Sequence, residues 1–174
     1  MEEDETVCTE DDGCYDYEVR HGVLHRLQSS VFNLEMAVSE YARHFNRLDS
    51  ILSKLDDSNA EDISKLSLKV ALENYKVQES LKHYEGTTEV ANKVGYNENE
   101  HDISQKTLER YCELEQDFKF MNFNAVEVLE KFSKDPRIKE RKIKLPQDYT
   151  KSEIEKAIEL EEAIMDSISA SASE

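Results

Sequence analysis

Apolar residues recur at alternating spacings of three and four through the first third of the chain: Leu24, Leu27, Val31, Leu34, Val38, Tyr41, Phe45, Leu48, Leu52 and Leu55. Side chains spaced in this way share one side of an α-helix, as the a and d positions of a heptad repeat do. The flanks carry Arg26, Gln28, Ser29, Asn33, Arg43, Asn46 and Arg47, which suit contact with water. The pattern predicts one helix over about residues 17–57. At about 1.5 Å per residue its apolar seam runs roughly 47 Å. A stripe of that length needs other helices beside it, from this chain or from a partner.

A second helix is predicted over about 60–85, with Ile63, Leu66, Val70, Val77, Leu81 and Tyr84 on one face. Asn74 interrupts that face, and Leu68, Leu72 and Tyr75 widen it. Ser58-Asn-Ala-Glu61 reads as a capping box at its start, and Gly86 as the residue that ends it. The short connection makes helices one and two antiparallel neighbours. Residues 86–100, with Gly86, Gly95, Asn92, Asn97 and Asn99, read as a hinge or loop, with room for a helical turn around Thr88–Val94. A third helix over about 101–134 repeats the heptad spacing at Tyr111, Leu114, Phe118, Met121, Ala125, Val128 and Phe132. Phe120 and Phe123 fall off that seam and mark a second apolar surface, for internal packing or for a partner.

Pro136 and Pro146 bracket a connector, 135–149, which is expected to be extended because proline disfavours helix in its neighbourhood. Thr150-Lys-Ser-Glu153 is a second capping box, opening a last helix over about 150–169. Ile154, Ala157, Ile158, Ile164, Met165 and Ile168 are expected to face inward from it, with a loose tail at 170–174. The fold class that follows is all-α: an elongated antiparallel helical hairpin or three- to four-helix bundle with coiled-coil character.

Charge narrows the range of functions. The formal net charge is −17, and residues 1–18 hold nine acidic side chains and no base. Such a run reads as a solvated, disordered tail, taken here as residues 1–16. Nucleic acid is thereby disfavoured as a direct ligand, since phosphate backbones need a basic footprint. The chain's three cysteines are an odd number and outline no disulfide framework. No apolar stretch is long enough for a bilayer span, and the N-terminus has no secretory pattern. A reducing compartment, cytoplasm or nucleus, is the resulting expectation.

Few residue sets suggest chemistry. Cys8, Cys14, His21 and His25 are the nearest approach to a metal site, but the cysteine spacing is unlike that of zinc sites. Glu18-x-x-His21 and Glu98-x-x-His101 match the di-iron unit of helix bundles, yet neither falls where a bundle core is expected. Cys112 beside Tyr111 reads as a small helix hydrophobe rather than a nucleophile. Thr9, followed by Glu10, Asp11 and Asp12, suits an acid-directed kinase or is simply a tail threonine. No phosphate-binding loop or nucleophile elbow is present. No enzyme activity and no cofactor are expected.

The connector is the one basic patch, with Arg137, Lys139, Arg141, Lys142 and Lys144 against Glu140. It reads as an intramolecular clasp on acidic helices, a dock for an acidic partner, or an import signal. Together these features suggest a non-catalytic scaffold or adaptor subunit of a hetero-oligomeric complex, in general character similar to small coiled-coil subunits of multi-protein assemblies. Other helical proteins would be its partners. Leu27, Val31, Leu34, Val38, Tyr41, Phe45 and Leu48, with Phe120, Phe123 and the connector bases, are the expected contacts. The alternatives are a metal-binding helical protein and a nucleic-acid-associated factor.

Overall fold

A computed structural model describes residues 13–55, 59–93 and 102–172, and the chain there is all α-helical, with no strand among the described residues. Three long helices come first: α1 (Gly13–Lys54), α2 (Ala60–Lys93) and α3 (Asp102–Ser133). They are followed by the short α4 (Pro136–Glu140), a turn of 3-10 helix (Pro146–Asp148) and α5 (Lys151–Ala172). The architecture is a helical hairpin extended into a bundle. The acidic segment 1–12, Ser58 and the stretch 94–101 lie outside the described residues.

Two compact units divide the chain, the first made of Met1–Met36 with Gln78–Asp117 and the second of Ala37–Val77 with Phe118–Glu174. In the first, Val23, Leu27, Val31 and Leu34 of α1 are buried, as are Tyr84 and Thr87 of α2 and Tyr111 and Leu114 of α3. The Tyr84 and Tyr111 rings stack with centroids 4.0 Å apart. The Tyr111 hydroxyl donates to Glu85 at 3.2 Å and to Glu115 at 3.4 Å. Burial, reinforced by the negative charge of Glu115 and Glu85, holds its phenol well above the ordinary tyrosine value.

In the second unit, Val38, Tyr41, Phe45, Leu48 and Leu52 of α1 are buried with Ile63, Val70, Leu72 and Val77 of α2 and Phe118, Ala125 and Leu129 of α3. Tyr41 meets Phe118 edge to face at 5.5 Å. Each such apolar side chain stabilises the fold by about 1.5–3 kcal/mol when fully withdrawn from water.

α2 departs from expectation at its end. Gly86 does not terminate it; the helix runs on to Lys93. A mid-helix glycine costs about 1 kcal/mol relative to alanine. Buried Tyr84 and Thr87 on either side outweigh that cost, and the Thr87 and Thr88 hydroxyls donate to the His83 and Tyr84 carbonyls at 3.0 Å. At its start, Asn59 accepts from the Glu61 N–H at 2.7 Å, so the cap is an asparagine. The Thr150 and Glu153 box at α5 forms as read: each residue's side chain accepts from the other's backbone N–H, at 2.9 and 3.1 Å.

The connector is also corrected. It is not extended, because each proline opens a helical turn, where its missing N–H leaves no bond unmade. Asp135 caps α4 by accepting from the Arg137 N–H at 2.9 Å. Lys142, at φ 55°, then reverses the chain. The Ile143 N–H reaches back to Ile138 and the Lys142 N–H to Lys139, both at 3.1 Å, closing a Schellman turn over two buried isoleucines. A second left-handed residue, Leu55 at φ 41°, ends α1. It is buried, and its carbonyl accepts from Arg141 at 3.4 Å.

Candidate functional site

The helix-seam residues read as partner contacts are the chain's own core. Leu27, Leu34 and Leu48 are 0% exposed, and Val31, Val38, Tyr41 and Phe45 are at most 7% exposed. What remains open lies off the seam. On α3, Phe120 and Phe123 are 78% and 69% exposed, and Val126, one turn beyond Phe123, is 56% exposed. Sequence reasoning singled out the two phenylalanines and missed Val126, whose spacing of three from Phe123 was the available signal.

Val126 also lines a cavity of about 290 Å³ in the second unit. Its walls are apolar, from Val70, Ala71, Ala125, Leu129, Pro146 and Ile154. Its polar side is built by the Asn74 that interrupts the α2 face. Asn74 donates to the Asn122 side-chain carbonyl at 2.8 Å, and the Tyr41 hydroxyl donates to the same oxygen at 3.3 Å. Burial holds the Tyr41 phenol above its ordinary value, against the opposing effect of its hydrogen bonding to Asn74. Gln147, also on the wall, donates to the Leu129 carbonyl at 3.0 Å and ties the 3-10 turn to α3. An apolar hollow with a few fixed amides suits an inserted aliphatic or aromatic side chain.

The connector bases are held by the chain to different degrees. Arg137 pairs with Asp135 at 2.8 Å, and that guanidinium, together with the Arg137 N–H, holds the Asp135 carboxyl below its ordinary value. Lys144 pairs with Glu153 at 3.3 Å and lies 4.5 Å over the Tyr149 ring. The Lys144 N–H donates to Ser64 at 3.0 Å, and the Tyr149 hydroxyl to the Ser64 carbonyl at 2.7 Å. Arg141 reaches Leu55, while Lys139 and Lys142 are exposed. Arg137 and Lys144 are thus each paired with an acid of the same chain.

α5 is latched to α2 by an ion cluster. Lys69 and Lys76 each donate to Glu161 at 2.8 Å, and Glu73, only 4% exposed, lies 3.1 Å from Lys69. Burial alone would raise the Glu161 carboxyl, but the hydrogen bonds from Lys69 and Lys76 outweigh it and hold it below the usual glutamate value. Burial likewise works against the Lys69 charge, yet Glu161 and Glu73 hold its ammonium above the usual lysine value. Tyr75 donates to Glu155 at 3.2 Å. Beyond Glu161, residues 162–171 are exposed. Ile164, Met165 and Ile168, expected inward, are 52%, 62% and 58% exposed, and Leu160 is 63% exposed. Apolar spacing identifies an apolar face and is silent on whether anything lies beneath it.

Of the candidate metal set, Cys8 and the side chains of Cys14 and His21 lie outside the described residues, and His25 is exposed. Cys112 is a free, exposed thiol rather than a buried one, because it sits on the side of α3 away from Tyr111 and Leu114. No described helix is long and apolar enough to cross a membrane. Compared with family models, curated proteins and solved structures, the chain matches none.

Proposed function

We propose that this chain is a non-catalytic adaptor subunit that binds a helix of another protein across the outer face of α3. The observation that carries the reading is the row Phe120, Phe123 and Val126, left open to water while the α1 seam from Leu27 to Leu52 is buried at Leu27, Val31, Leu34, Val38, Tyr41, Phe45, Leu48 and Leu52. Exposed aromatic side chains, followed on the same helix by a valine that lines an apolar hollow, are what helix-in-groove recognition uses, with a large partner residue as anchor. The cavity bordered by Val126, Asn74 and Asn122 is the receiving end of that contact. The heptad seams support the partner surface from below rather than forming it, and the basic connector fixes the start of α5.

A paired purification tests this. The wild-type chain, recovered from native extract, is expected to retain a stoichiometric helical partner. A Phe120→Glu/Phe123→Glu variant is expected to lose that partner with its melting temperature unchanged, since both side chains are already in water. A wild-type chain that retains no partner, or a variant that retains the same one, overturns the reading.

A further inference from the structure

We infer that the free half of α5 is a second docking face, and that its occupant is a basic amphipathic helix of a partner protein. The inference rests on the adaptor reading but uses different residues. Ile154, Ala157, Ile158 and Glu161 form the side of α5 turned toward the rest of the second unit, and all are partly covered. At 3.6 residues per turn, Ile164, Met165 and Ile168 continue that side, and Leu160 borders it. Every residue from Glu162 to Ser171 is exposed. The packing face of the helix therefore outlasts what it packs on by more than two turns.

Charge selects the occupant. After Lys156 the chain has no basic residue, while Glu162 and Asp166 make one flank of the stripe acidic. Ser167 and Ser171 on the other flank are small and leave room for a close approach. A second copy lying on this face would set acid against acid, and an anionic lipid surface would be repelled in the same way. A helix with leucine-like residues on one side and lysine or arginine at its edges satisfies both the stripe and its acidic border. The chain's net charge of −17 adds long-range attraction for the same kind of partner.

The test uses the full chain and two synthetic helical peptides of equal length, one of leucine and lysine, the other of leucine and glutamate. The leucine–lysine peptide is expected to bind at least about tenfold more tightly in fluorescence anisotropy. Ile164→Ser/Met165→Ser/Ile168→Ser should weaken it by about tenfold, and Glu162→Lys/Asp166→Lys should reverse the preference between the peptides. The Phe120→Glu/Phe123→Glu variant should bind it normally, which separates failure of this face from failure of the α3 face. Equal binding by the serine variant overturns the inference. So does dimerisation through this face in light scattering, or binding to neutral phosphatidylcholine vesicles in preference to the peptide.

Discussion

The α1 seam and the α5 stripe are written in nearly the same sequence code and end in opposite environments. Leu27, Leu34, Leu48 and Leu52 are 0% exposed, whereas Leu160, Ile164, Met165 and Ile168 are between 52% and 63% exposed. Spacing tells which residues share a side of a helix; cover depends on whether another element reaches that side. In the second unit α1 has α2 and α3 beside it. α5 has an anchor at its start, through Ile154 and Glu155, and a latch at Glu161, and its residues 162–171 are exposed. The seam is structural, and the stripe is available.

The largest effect that could break this contrast is a truncation on each side of it. Leu48→Ala empties a fully buried site and should cost about 2–5 kcal/mol in urea unfolding followed by circular dichroism. Ile164→Ala removes the same kind of side chain from water and should stay within about 0.5 kcal/mol of wild type. Similar losses at the two sites would mean that α5 is as well covered as α1.

A smaller effect sharpens the view of the cavity between them. Asn122→Leu should cost about 1–3 kcal/mol, because it removes the oxygen to which both the Tyr41 hydroxyl and the Asn74 amide donate. Adding Asn74→Leu and Tyr41→Phe should recover part of that loss, since replacing all three polar groups removes the unmet demand. A triple variant no better than the single would show that these groups are held for another reason.

The smallest effect is a pH response confined to α5. The Glu161 carboxyl sits below its ordinary value in the folded chain. Its contribution is therefore complete above the unfolded glutamate value and fades as pH falls through the lower folded value. The protection factors of the α5 amides should fall in that acid window while those near Leu48 and Leu52 hold. Uniform loosening of both would place the acid sensitivity elsewhere.

Much of the fold was legible because periodicity, capping and breakers act locally. Three long helices, their apolar faces and the Thr150 and Glu153 cap follow from neighbours within a turn or two. The continuation of α2 past Gly86 was not legible, since Tyr84 stacks on a tyrosine from a different helix and overrides the local propensity. Nor were the helical turns at Pro136 and Pro146, where a breaker in one register is a starter in another. For the candidate site, Phe120 and Phe123 stood out by falling off the seam. The α5 stripe did not, because an apolar face meant for a partner and one meant for the core carry the same spacing.

The hydrogen bond from Tyr41 to Asn122 joins residues 81 positions apart. A ribosome therefore completes α1 and α2 before it makes the α3 side chains that enclose them. Until α3 emerges, the growing chain passes through a stage in which the α1 leucines that α3 later covers face water outside the exit tunnel.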